Sequence, residues 1–231
     1  MKSVSTGPVT TIAANTSLPQ NAKPEAAALF PIFLRLEGRA CLVIGAGAVA
    51  QPKIASLLAS GAKVTVVAPR AGGAVRAWAE AGEIRWEARP FVPADLDGAF
   101  LAVAATSVTE VNQQVFQEAR RRNILVNAVD DPPHCDFYYG SVVRRGALQI
   151  AISTDGKSPA LAQRLRQEME NTYGGEYERW LDELGRERQQ LFAIEMDREL
   201  RCQWLHALAS RKSYEEFVCR LRVAENGEDQ E

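Results

Sequence analysis

Three groups of residues in this 231-residue chain have the types and spacing that chemistry requires. The first is Gly45-Ala46-Gly47-Ala48-Val49-Ala50, a Gly-x-Gly-x-x-Ala turn directly after the apolar run Cys41-Leu42-Val43-Ile44. In such a turn Gly45 lets the chain reverse, Gly47 lets phosphates approach the backbone, and Ala50 keeps the next helix close to the sheet. Amides at that helix N-terminus then face an anion. The chemistry implied is dinucleotide binding. A strand before the turn and a helix after it give weight to a motif that is weak alone. The bland alternative is a small-residue turn that binds nothing.

The second group follows the apolar run 124–129 and comprises Asn127, Asp130 and Asp131. A carboxylate at the carboxyl end of a sheet strand can accept a proton or orient a substrate N–H, and Asp130 is the foremost candidate. Equally, Asp130 or Asp131 can cap the turn before Pro132 and Pro133. His134, one of two histidines, reads as a solvated turn residue, with metal ligation or proton shuttling as alternatives. The third group is Thr154-Asp155-Gly156-Lys157-Ser158-Pro159. Serine as N-cap and proline at the first helical position start a helix. With Lys157 beside it and Arg164 and Arg166 beyond, that helix end attracts carboxylates. The same residues make a well-capped structural helix, and whether an anion also binds is open at this stage.

No metal site is expected. The four cysteines, Cys41, Cys135, Cys202 and Cys219, are far apart and lack Cys-x-x-Cys or histidine spacing. They read as reduced cytoplasmic thiols, Cys41 as a small core residue. With 46% hydrophobic residues and a net charge of −2, the chain is expected to be soluble and globular. Basic residues are interleaved with acidic ones, and no apolar run is long enough to span a bilayer, which argues against nucleic acid and membrane partners.

The elements that must position these groups follow from periodicity. Residues 40–70 predict a strand, a turn, a helix with Pro52 in or near its first turn, and a strand over 64–67. A helix over 73–81, a strand over 84–89, a buried strand over 100–105, a helix over 108–123 and a buried strand over 124–129 continue the alternation. Segment 29–36 lays the chain against the sheet and could form a short edge strand. The fold class is therefore α/β, a Rossmann-type doubly wound parallel sheet, with ligands outside the carboxyl ends of its strands. There the Gly45 turn, Thr106 and residues 127–131 converge. The second strand ends Val67-Ala68-Pro69-Arg70, without the acid that usually meets the adenosine ribose. Arg70 is either a phosphate ligand, which by itself would lean toward NADP, or an ordinary loop arginine.

After Pro133 the character changes. Runs 137–143 and 148–154 around Arg144-Arg145-Gly146 predict a β-hairpin. From Ser158 onward the pattern is helical, with Leu161, Leu165, Met169 and Tyr173 every fourth residue. A hairpin with one apolar face is unstable alone, so pairing with a second subunit is expected. The organisation expected is a disordered leader (1–28), for which a transit peptide is a weaker reading, a nucleotide-binding domain (29–131), a β dimerisation region (132–157), a helical region (158–222) and a disordered tail (223–231).

Taken together, PIFLRLEGRACLVIGAGAVA, LAVAAT, NAVDDP, FYYGSVVRRGALQIAIST and GKSPALAQRLR resemble the siroheme-synthase dehydrogenase family, in order and spacing, over about residues 30–191. The resemblance implies NAD-dependent oxidation of precorrin-2 to sirohydrochlorin in siroheme biosynthesis, in some members followed by ferrous iron insertion at the same site. It implies nucleotide contacts at Gly45, Gly47, Ala48, Val49, Pro69, Arg70 and Thr106, with Asp130 as the catalytic carboxylate. Substrate contacts are expected at Asn127, Thr154, Lys157 and Ser158. It implies NAD as cofactor despite Arg70, a homodimer joined through the second half, a tetrapyrrole substrate, and a separate uroporphyrinogen methyltransferase upstream. Departures from the family pattern are Pro52, Ser107, Gly140 and Asp155. Asp155 matters most, because it sets a negative charge beside a site for a polycarboxylate unless Lys157 offsets it. Two rival readings are a non-catalytic nucleotide-sensing module and a chelatase without dehydrogenase activity.

Overall fold

The computed structural model describes residues 28–228. The chain divides into Met1–Phe33 and Leu34–Glu231, each considered by itself. Of the first unit, residues 28–33 carry no regular secondary structure. The expected leader lies, but for Ala28, outside the described residues. The optional edge strand over 29–36 does not form, since Pro31 interrupts the row of amides a strand edge needs. In the second unit, Leu36 enters the core and its carbonyl accepts from the Arg39 amide at 2.9 Å, turning the chain into the sheet.

Five short apolar runs form one parallel sheet: β1 (Ala40–Ile44), β2 (Lys63–Val67), β3 (Ile84–Glu87), β4 (Leu101–Ala104) and β5 (Leu125–Ala128). Their order is β3-β2-β1-β4-β5. Central strands with apolar residues at consecutive positions need cover on both faces. Helices α1 (Ala50–Ala59) and α2 (Gly73–Glu80) supply it on one side, where Val43, Val66, Ile54, Leu57 and Val75 are buried together. Helix α3 (Thr109–Arg121) and the 3-10 turn Pro93–Leu96 supply it on the other, around Leu42, Ile44, Leu96, Val115 and Val126. Each such aliphatic side chain contributes about 1.5–3 kcal/mol by leaving water. Strand order reverses between β1 and β4, so the crevice for a ligand opens at their carboxyl ends.

A separate antiparallel hairpin pairs β6 (Ser141–Arg145) with β7 (Leu148–Ile152) through Gly146 and Ala147. The strand expected from residue 137 begins only at Ser141. Before it, Cys135 pairs with Asn127 along the edge of β5, and Phe137 packs into the core beside α1. Competition between an edge-strand pairing and an apolar cover thus takes residues 135–139 away from the hairpin. At Gly140 a Cβ would lie 2.9 Å from the Ile152 carbonyl oxygen, so the chain entering β6 runs close against the end of β7.

Helices α4 (Pro159–Thr172), α5 (Glu176–Ala193), α6 (Arg198–Leu208) and α7 (Arg211–Glu228) follow. The inward stripe of α4 differs from the one read from the sequence. Ala162 is its buried residue and Leu161 is exposed, while Leu165, Met169 and Tyr173 are half-buried. Arg145 of β6 reaches the α4 C-terminus, donating to the Tyr173 carbonyl at 2.8 Å and the Glu170 carbonyl at 3.1 Å. Helix α7 continues to Glu228, into the stretch 223–231 expected to be a disordered tail.

Candidate functional site

At the carboxyl edge of the sheet, Gly45 has φ +107°, and a Cβ there would sit 2.3 Å from the Ala105 carbonyl oxygen. Only glycine allows β1 to turn this closely under the chain leaving β4. The Gly45 amide donates to Val67 O (3.0 Å) and the Ala105 amide to Ile44 O (2.8 Å), so three strand ends are tied at this point. Gly47 has the opposite surroundings: a Cβ would meet nothing within 4 Å. Ala48 and Val49 are exposed beside it, and Ala50 is fully buried against the sheet. No side chain caps α1, and its first turn contains no acid. Pro52 takes the third helical position, where its missing amide breaks no helical hydrogen bond. The result is an open helix N-terminus with room at Gly47, which fits the pyrophosphate of a dinucleotide.

The loop after β2 is joined to this turn by the Gly72 amide, which donates to Ala46 O at 3.0 Å. Pro69 and Arg70 are exposed on it, and Arg70 has no ion-pair partner among the described residues. After β4, Thr106 is clamped by Asn112. The Asn112 Nδ2 donates to Thr106 O (3.0 Å), its Oδ1 accepts from the Thr106 amide (3.3 Å), and the Thr106 hydroxyl lies 2.8 Å from the same oxygen. Asn112 is buried. Motif spacing does not single it out, although the signal is legible: it shares the inward face of α3 with Val115 and Ala119, a polar residue on an apolar stripe.

Asp130 follows β5, with the Val129 amide holding the strand end to Ala104 O at 2.9 Å. It is exposed, has no side-chain partner among the described residues, and adopts φ +62°. A non-glycine residue in the left-handed region is uncommon, and such geometry gathers at functional sites. Asn127, by contrast, is buried under the next loop, where its Nδ2 donates to Phe137 O at 2.8 Å and lies 3.3 Å from Cys135 Sγ. Burial pushes the Cys135 thiol above its ordinary range. Cys41, buried in β1, is raised to about 11 by desolvation. Neither is a nucleophile at neutral pH.

The third group stands at the start of α4. Ser158 Oγ accepts from the Leu161 amide, and Thr154 Oγ1 from the Ser158 amide, both at 3.2 Å. Lys157 is exposed without an ion-pair partner among the described residues. Asp155 occupies the left-handed region at φ +53°. No hydrogen bond joins this group to the carboxyl edge of the sheet among the described residues. A recess of about 260 Å³ lies elsewhere, between Thr65, Arg85 and Asp97, and is lined by the Arg89–Asp95 ion pair. Among the described residues, no three His, Cys, Asp or Glu side chains gather to hold a metal ion, and no helix is long and apolar enough to cross a membrane.

Comparison with known proteins agrees with this arrangement. Residues 32–141 match the family described as "Putative NAD(P)-binding", and residues 145–172 match "Sirohaem biosynthesis protein central". The chain is 45% identical over 140 residues to siroheme synthase of Photorhabdus laumondii, covering 61% of this chain and 30% of that protein. It is 45% identical over 148 residues to siroheme synthase of Methylobacillus flagellatus, covering 62% and 32%. The chain thus spans about a third of the length of these relatives. Among solved structures, "SirC, precorrin-2 dehydrogenase" superposes with a TM-score of 0.68 at 27% identity, over 84% of this chain and 99% of that one. The chain thus resembles proteins of sirohaem biosynthesis in two matched segments, an NAD(P)-binding one and the sirohaem central one, and in a fold similar to that of SirC.

Proposed function

We propose that this protein uses NAD to oxidise precorrin-2 to sirohydrochlorin. The observation that carries the reading is the exposed, unpaired Asp130 in the left-handed region, beside an open glycine turn on the same sheet edge. The nicotinamide supplies the hydride acceptor when the dinucleotide is bound. Gly47 and the amides at the start of α1 receive the pyrophosphate. Thr106, held rigid by Asn112, borders the crevice on the β4 side. As the substrate loses one hydride and one proton, Asp130 takes the proton at a carboxylate oxygen or orients the N–H that releases it. Positioning in the crevice is the protein's larger contribution.

A tetrapyrrole with many carboxylates needs cations and donors as well. Lys157, Thr154 and Ser158 at the start of α4, and Asn127 through the loop it holds, are the substrate-side residues of this reading. The hairpin supports a homodimer: in β6 only Val143 is buried, and the pair has no third strand. NAD rather than NADP rests on the family resemblance, against the unpaired Arg70. Substituting Asp130→Ala tests the reading. NAD affinity stays within about twofold of wild type, while turnover of precorrin-2 falls by roughly 10²- to 10⁴-fold. Retained turnover would remove Asp130 from the chemistry. Ferrous iron added after the first reaction tests whether the same carboxylate also serves metal insertion.

A further inference from the structure

His134 has no part in the function proposed above, yet its ring bonds the carboxylate of Asp131, the residue next to Asp130. Its Nδ1 is 2.6 Å from Asp131 Oδ2, inside the 3-10 turn Pro132–His134. Asp131 is held by four bonds. Its amide donates to Ala128 O (3.2 Å), its carbonyl accepts from the His134 amide (2.9 Å) and from the Cys135 thiol (3.3 Å), and its carboxylate accepts from the imidazole. Three of these tie Asp131 to the turn and one to the end of β5. The imidazole is itself braced from the neighbouring helix: Phe116 of α3 meets it edge-on, ring centroids 4.6 Å apart, and Arg120 lies over the far ring while pairing with Asp136. Tyr138 closes the other side of the turn by donating to Pro132 O at 3.2 Å.

A left-handed residue between a strand end and a turn keeps its conformation only where its surroundings over-determine it. Asp130 makes no side-chain contact among the described residues, so the restraint must come from its neighbours along the chain. On the β5 side that restraint is the sheet, and on the turn side it is the imidazole bond to the Asp131 carboxylate together with the Cys135 thiol bond to the Asp131 carbonyl.

We propose that His134 is a positioning residue for Asp130, acting through Asp131 to hold the left-handed turn that aims the catalytic carboxylate over the sheet edge. The inference rests on the reading of Asp130 given above. It requires only an N–H at the place of Nδ1, not a titrating ring, and this separates it from proton transfer by the imidazole. Asparagine carries an N–H at nearly the same distance from its Cα, whereas alanine carries none.

The test uses the full chain with NAD and precorrin-2 under anaerobic conditions, and compares wild type with His134→Ala, His134→Asn and Asp131→Ala. Amide hydrogen exchange over residues 128–136 and steady-state kinetics are measured on each. His134→Ala is expected to speed exchange in this segment and lower kcat by roughly ten- to a hundredfold, with NAD affinity unchanged. Asp131→Ala should do the same, the pair should be no worse than either alone, and His134→Asn should restore most of both readouts. Unchanged exchange and kcat in His134→Ala would overturn the proposal. Loss of kcat that asparagine fails to restore, with exchange normal, would also overturn it, in favour of proton transfer by the ring. Faster exchange with intact kcat would overturn it from the other side, by taking Asp130 out of the reaction while leaving the clamp in place.

Discussion

Asp130 and Gly45 show how much a single backbone conformation carries at this site. Gly45→Ala would set a methyl group 2.3 Å from a carbonyl oxygen in a strand junction, at a φ that L-residues avoid. We expect a loss of about 2–4 kcal/mol in chemical denaturation, together with loss of NAD binding. Gly47→Ala is the contrasting case. The space in front of it is open, so stability should change by less than about 1 kcal/mol while NAD affinity falls, which separates the ligand's need for glycine from the fold's. The glycine turn and Asp130 were legible in the sequence because their chemistry follows from residue type and place along the chain. The Asp131–His134 bond was not, since nothing in the spacing says which neighbour a turn histidine will meet.

At the scale of elements, the loops rather than the strands decide the site. Asn112 anchors the loop after β4 from inside α3, with two side-chain bonds to the Thr106 backbone. Asn112→Ala leaves those backbone groups unpaired, and should cost about 1–3 kcal/mol and raise the Kd for NAD several-fold, as read by denaturant titration and by ligand titration. The crossover from β3 to β4 is a 3-10 turn secured by Asp95, which accepts two bonds from Arg89 and one from the Val92 amide. The Arg89 hydrogen bonds hold the Asp95 carboxyl below its ordinary range, against a smaller effect of burial. A depressed carboxyl stabilises the fold above its unfolded value, near 4, and that contribution is lost as pH falls through the folded value. Asp95→Asn should therefore cost about 1 kcal/mol at neutral pH, reduced by the exposure of Arg89, and the difference should vanish in acid. Periodicity placed these strands and helices within a few residues. It failed at residues 137–140, where a β-rich run is drawn instead onto the edge of β5 and the core, because alternation records apolar faces and not which of two partners will cover them.

For the molecule as a whole, parallel order β3-β2-β1-β4-β5 brings residues 45, 70, 106 and 130 to one edge, although 85 positions separate the first from the last. That convergence was legible from strand–helix alternation alone, because a doubly wound sheet puts every strand end on the same side. The relation between this edge and the Thr154–Ser158 group was not legible, and within the described residues no hydrogen bond links them. A homodimer joined through the hairpin would be the means of completing the site. Sedimentation at micromolar concentration should give twice the chain mass, and a charged substitution at the half-buried Val142 of β6 should yield monomers with reduced turnover.

Oxidation of precorrin-2 with NAD at this edge is read out by an anaerobic absorbance assay. Purified protein is mixed with enzymatically generated precorrin-2, with and without NAD. The sirohydrochlorin spectrum is expected only when NAD and protein are both present. Absence of that spectrum while NAD binds normally would contradict this oxidation, and would favour a nucleotide-sensing module.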